Sequence, residues 1–207
     1  MELKGRLELF KEELNLIAKK DVRDFTKAVL EAAPDYIFED CPSSSSGRYH
    51  PIDELGPDGN NIHVRKVFAV AYELSRGLDC ENNRDEICAA ALLHDIVKQG
   101  VAKSGHTVRN HPQLAADLIA EVYKDKFKDK IDRNSVVIIY NAIKYHYGPW
   151  TEKSMKKSLK EYSLEELCLY VSDYVSSKRF IKVDYLKRNG LGFIEMDKKE
   201  DKECQEN

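Results

Sequence analysis

Glycine and proline are scarce in this chain, 10 and 6 among 207 residues, and they cluster. The long stretches between the clusters are therefore free to run as helix. No apolar run reaches the length a bilayer needs, and the N-terminus MELKGRLELFKEELNL is charged and amphipathic, unlike the core of a signal peptide. Paired cysteines are also lacking. Cys41, Cys80, Cys88, Cys168 and Cys204 are odd in number, scattered and without a CxxC pair, which argues against a disulfide framework or zinc knuckle. The expected compartment is a reducing cytoplasm, with no membrane association. Nor does one sign of charge dominate: 33 Lys and Arg against 36 Asp and Glu leave a net charge of -3, so nothing announces a dedicated nucleic-acid binder. The chain has no GxGxxG and no P-loop, hence no support for a dinucleotide-binding sheet or for P-loop chemistry.

What is present points to an all-α domain. Apolar residues make up 42% and charged residues 33%, with a mean hydropathy of -0.55, as in a globular chain able to bury a core. Leu3, Leu7, Phe10, Leu14, Ile17, Phe25 and Val29 recur at helical spacing and predict two helices, broken near Lys19–Asp21 and closed by Pro34. Residues 41–61 hold three prolines, three glycines and the run Ser43–Ser46, and predict a long irregular loop of the kind that tends to be functional. A helix over 62–76 follows, with Asn61 as a candidate cap. Residues 84–98 are apolar on nearly every side and predict a central helix packed all round. Pro112 opens the next helix, after which Lys124–Lys130 reads as a solvated charge run. Another helix covers 134–146 and stops at Gly148-Pro149. After a connector over 152–161, a capping box from Ser163 to Glu166 starts a last helix, reaching about Phe180.

Polar residues in apolar settings carry the chemistry. His94 and Asp95 interrupt the most apolar helix, and burying them without partners would cost several kcal/mol, on the order of the penalties for unpaired buried polar groups. His63, His111, His146 and Asp173 intrude in the same way, each at an inward position or a helix end. Taken singly, each reads most simply as a core or surface residue. Together they place four imidazoles and two carboxylates one or two per helix around a helical core, which is how bundles build metal sites.

The pattern H…HD…H…H…D, from His63 to Asp173 with the form HDIVK at 94–98, resembles the HD-domain superfamily of metal-dependent phosphohydrolases. The loop SSSSGRYHP and the later HYGPW resemble one branch of it. The resemblance implies a compact HD-like helical bundle with a catalytic domain over 41–190, on which the helices read over 1–40 would pack; the tail over 191–207, with almost no apolar content near its end, is expected to be disordered. It implies a metal site of His63, His94, Asp95 and Asp173, with Asp95 bridging to a second ion on His111 and His146. His106, five residues before His111, competes for that last place, and the helix-start context favours His111. Iron, manganese, cobalt, nickel or zinc suit such imidazole-rich ligands, magnesium less well. Two ions would acidify a shared water for in-line attack on phosphorus.

Cations must then hold phosphate oxygens. Lys98, one turn beyond Asp95, is the first candidate, followed by Arg48, Arg109, Lys103 and Lys144. His50 or His106 could protonate a leaving oxygen. Tyr49, Tyr147 and Trp150 could stack a base, although capping the core explains them as well. The expected activity is hydrolysis of a phosphoester or phosphoanhydride, in a small nucleotide or nucleotide-derived molecule. Two alternatives share the ligand set: a mixed-valent di-iron oxygenase of the HD fold, and a single-strand nuclease, disfavoured by the net charge.

Overall fold

The computed structural model describes residues 3–185, and the tail expected to be disordered, 191–207, lies outside them. Among the described residues all regular structure is helical: α1 (Leu3–Leu9), α2 (Lys11–Leu16), α3 (Lys20–Ala32), α4 (Tyr36–Glu39), α5 (Gly59–Gly77), α6 (Arg84–Leu93), α7 (His111–Val122), α8 (Arg133–Tyr145) and α9 (Leu164–Ser176), joined by short 3-10 turns. No described helix is long and apolar enough to cross a membrane.

Small residues set how closely helices approach, and the run Cys88-Ala89-Ala90-Ala91 places α6 at the centre. Every residue of α6 after Arg84 is buried, and α3, α5, α8 and α9 pack around it. Burying Ile87, Leu92 and Leu93 contributes about 1.5–3 kcal/mol each relative to exposure. The acids of its first turn sit at the positive end of the helix and are answered individually. Glu86 accepts from Lys19 Nζ at 2.8 Å and Ser135 Oγ at 2.6 Å, and Asp85 accepts the Lys19 backbone N–H at 2.6 Å.

Four expectations are corrected by the backbone. The first helical stretch divides at Phe10, which leaves helical geometry (φ -114°, ψ 21°) so that its buried ring can pack edge-on against Phe38 at 6.4 Å. The central helix stops at Leu93, not 98. Residues 94–100 form turns, yet Ile96 and Val97 stay buried, so the apolar pattern outlasts the helix. The last helix ends at Ser176, short of Phe180. Asn61 does not cap α5 but lies inside its first turn, donating from Nδ2 to the Phe38 carbonyl at 3.3 Å. The charge run after Val122 is partly ordered, as a π-helical turn over Tyr123–Phe127. The capping box forms as read: Ser163 Oγ accepts the Glu166 N–H at 3.3 Å, and Glu166 accepts the Ser163 N–H at 3.0 Å.

The long loop is bound to the start of α5. Cys41 N–H donates to Pro57 O at 2.8 Å, Asn60 N–H to Cys41 O at 2.8 Å, and Ser43 N–H to Glu54 O at 3.0 Å. Gly59 makes this possible, because a Cβ there would overlap the Glu54 carbonyl. In an open helix, Gly→Ala stabilises by roughly 0.5–1 kcal/mol. Here the sign should reverse: Gly59→Ala is expected to lower stability by about 1–3 kcal/mol in urea unfolding, as steric strain does elsewhere. A stabilised variant would show that the loop is not seated as described.

Candidate metal centre

Three helix ends deliver three imidazoles in one orientation. His94 follows the last residue of α6, His146 follows α8, and His111 begins α7. Each donates its Nδ1–H to the carbonyl three residues earlier: His94 to Ala91 at 2.8 Å, His111 to Val108 at 2.7 Å, His146 to Ile143 at 2.7 Å. A carbonyl can only accept, so the proton is on Nδ1 and the Nε2 lone pair of a neutral ring points inward. Burial, with His94 and His111 alongside, pushes the His146 pKa down to about 3 and keeps that ring neutral.

These lone pairs face one another. His111 Nε2 lies 3.2 Å from His146 Nε2 and 3.1 Å from Asp95 Oδ1, while His94 Nε2 lies 3.4 Å from Asp95 Oδ2. His94 Nε2 and Asp95 Oδ1 are buried and accept no well-aligned hydrogen bond. Inward acceptors at contact distance repel unless a cation or proton lies between them, so the donor set fits a metal ion.

The fourth imidazole is held differently. His63 of α5 places Nε2 3.0 Å from Asp173 Oδ1 on α9, and Nδ1 3.2 Å from Glu54 Oε2 in the long loop. Glu54 is completely buried and collects three further donors: Lys66 Nζ at 2.9 Å, His50 Nδ1 at 2.8 Å and Ser43 Oγ at 3.1 Å. Burial alone would raise the Glu54 pKa, but the bonds from His50, His63 and Lys66 hold it well below the carboxylate range. For His63, burial would lower the pKa, yet hydrogen bonds with Asp173 and Glu54 raise it to about 9. Asp173 is likewise depressed against the effect of burial, by His63 and then by His94 and His146.

Asp95 stands between the two sets. Its Oδ2 faces His94 and, at 4.0 Å, His63 Nε2, while its Oδ1 faces His111 and His146. The buried Lys98 ammonium bonds to Oδ2. Burial opposes the ionised carboxylate, but Lys98, His94 and His111 hold the Asp95 pKa far down. Among the described residues, three groups bring ligand atoms within 4.8 Å of one another and could hold an ion: His63, His94 and Asp173; His94, Asp95 and His146; and His50, Glu54 and His63.

Above this cluster opens a cavity of about 730 Å³. Asp95, Lys98, His111, His146 and Asp173 form its floor, with His63 and His94 wholly buried beneath. Ser43–Ser46, Tyr49, His50, His106 and Thr107 line one side, and Tyr147, Trp150, Tyr170, Tyr174, Ser177 and Lys178 the other. His106 is exposed at the rim, its Nδ1 donating to Ser104 O at 3.1 Å, apart from the ligand cluster. Several expected phosphate-binding cations stand outside the lining. Arg48 is exposed with its guanidinium 5.8 Å from the Tyr49 ring, Arg109 is exposed, and Lys144 lies over Tyr140 and Tyr145. Lys103 pairs with Asp40 at 2.6 Å. Glu54, Tyr170, Tyr174 and Lys178 were not legible as site residues. Tyr170 and Tyr174 had a usable signal, since they lie four residues apart on α9 and flank Asp173, whereas Lys178 lies beyond the end of the helix.

A family model described as HD domain matches residues 61–178, more than half of the chain, from the first turn of α5 to just beyond α9. No curated protein and no solved structure matches it.

The Glu54–His63 contact has a measurable consequence. A raised histidine pKa stabilises the fold fully below the unfolded value, near 6.5, and the stabilisation is lost as pH rises through about 9. In metal-free protein the His63 imidazole should therefore stay protonated past pH 8 in an NMR titration. Glu54→Gln should lower its midpoint by about one unit or more, roughly 1.4 kcal/mol per unit. An unmoved midpoint would mean that Glu54 does not act on His63.

Proposed function

The chain belongs to the HD domain family, and on that premise we propose that it is a binuclear metal-dependent phosphohydrolase. The bond cleaved is a phosphoester or phosphoanhydride of a nucleotide or nucleotide-derived molecule. One observation carries the reading: the buried Asp95 carboxylate turns each oxygen to a different imidazole set. His63, His94, Asp95 and Asp173 would hold one ion, and Asp95, His111 and His146 the other. Ions bound there, of iron, manganese, cobalt, nickel or zinc before magnesium, would supply Lewis acidity and a water acidified toward neutrality.

The chain's own groups do the rest. The three carbonyl-bound imidazoles keep their acceptors aimed inward without rearrangement, so the site is organised before substrate arrives. Lys98, anchored on Asp95 and facing the cavity, offers positive charge to phosphoryl oxygens. Burial raises the cost of that ammonium, but Asp95 more than compensates and keeps it charged. His50 differs from the donor expected of it. Burial depresses its pKa, only partly opposed by Glu54, and its Nδ1 is held by Glu54. A neutral His50 with a free Nε2 suits taking a proton from an attacking water better than giving one to a leaving oxygen. The aromatic wall supplies apolar area for a planar group.

Metal analysis of protein reconstituted with manganese, paired with a phosphate-release screen over nucleotides, tests the reading. Two ions per chain and phosphate release are expected. Asp95→Ala should lose both ions and all turnover, and His146→Ala should retain one ion. Full metal content with normal turnover in Asp95→Ala would overturn the site. Oxygen consumption by the iron-loaded protein on a non-phosphorylated substrate would replace the hydrolase with an oxygenase.

A further inference from the structure

The buried or cavity-side lysines of this fold have carboxylate partners: Lys98 bonds Asp95, and Lys66 bonds Asp53 and Glu54. Lys178, just beyond α9, is the exception. Among the described residues no carboxylate lies within ion-pair distance of its ammonium. Aromatic rings surround it instead: Tyr174 at 4.0 Å, Tyr49 at 5.5 Å and Trp150 at 5.8 Å. The rings come from α9, the long loop and the turn after α8, and all of them, with Lys178, line the cavity. The Arg179 N–H donates to Tyr49 O at 2.8 Å, so the loop and the end of α9 are tied at this point.

Ring faces attract a cation through their quadrupole but do not neutralise it or occupy its N–H donors. The cage therefore restricts a flexible lysine while leaving its charge available, which reduces what an anion must expend to order it. Two serine hydroxyls line the same cavity. Ser44 Oγ accepts the Gly47 N–H at 3.2 Å and Ser46 Oγ accepts the Arg48 N–H at 3.4 Å, bonds that do not use either hydroxyl proton. A cationic ligand would have to enter against the lysine, so the cage selects negative charge.

We infer that Lys178, held by Tyr49, Trp150 and Tyr174, forms a second anion-binding pole at the cavity mouth, and that the substrate carries a further phosphate or carboxylate besides the group handled at the floor. This rests on the phosphohydrolase reading for the floor alone; the pole itself is a binding site.

Trp150 is the single tryptophan of the sequence, so its fluorescence reports occupancy of the mouth directly. Manganese-loaded protein would be titrated with adenosine 5′-monophosphate, adenosine 5′-diphosphate and adenosine 3′,5′-bisphosphate. At least one doubly phosphorylated nucleotide should bind about tenfold or more tightly than the monophosphate. Lys178→Met should reduce that preference to within about twofold, and Lys178→Arg should keep most of it. If no doubly phosphorylated nucleotide is preferred, or if Lys178→Met keeps the preference, the pole is refuted. Phosphate release from the same nucleotides, measured in parallel, judges the hydrolase reading separately: its absence from all of them would remove that reading while the binding ratios still decide the role of Lys178.

Discussion

A carboxylate carried into an apolar interior must be answered by positive charge, and the arrangement of this protein follows from how Asp95 is answered. It lies two residues past the end of the most buried helix and is almost wholly withdrawn from solvent at the cavity floor. Lys98 bonds one oxygen, which His94 and His63 also face, and the other oxygen faces the imidazoles of His111 and His146. Placing those groups requires α7 to begin and α8 to end beside the turn that follows α6, while α5 and α9 bring His63 and Asp173 from within their lengths. The alanines of α6 permit that convergence because they let the neighbouring helices approach closely. Core packing and site chemistry are thus one problem solved with one set of helix positions.

Legibility in the sequence tracked how local the physical signal was. Helical spacing gave the helices, and Ser163 with Glu166 gave a cap, because both are contacts between near neighbours in the chain. His94, Asp95 and Asp173 stood out because each breaks an apolar pattern. The end of α6 was hidden, since Ile96 and Val97 continue that pattern inside a buried turn. Glu54 was hidden for the opposite reason. It sits among polar loop residues, and only the folding of the loop onto Gly59 brings it to His63. Arg48 and Lys144 looked like phosphate ligands by proximity in sequence, but long side chains go where aromatic faces take them, here Tyr49, Tyr140 and Tyr145.

The carboxylate of Glu54 joins features that would otherwise be separate. One buried group accepts from His50, Ser43 and Lys66 and lies 3.2 Å from His63 Nδ1, so the long loop, the start of α5 and the fourth imidazole share a single electrostatic anchor. Displacing the loop would strip the buried Lys66 of both its carboxylate partners, Asp53 and Glu54, which is costly. The loop is irregular in backbone without being loosely attached, and the cavity side it forms is correspondingly fixed.

The floor and the walls of the cavity are built by different means. Each imidazole and carboxylate of the floor is set by a helix end or helix interior whose position the core decides. Much of the walls comes from the connecting segments, 43–50, 106–107 and 147–150, which the core does not constrain in length. Insertions and deletions in those connections would reshape what the cavity admits without shifting a ligand atom. Reactivity and selectivity are therefore separable in this architecture, and the second can diversify while the first stays as it is.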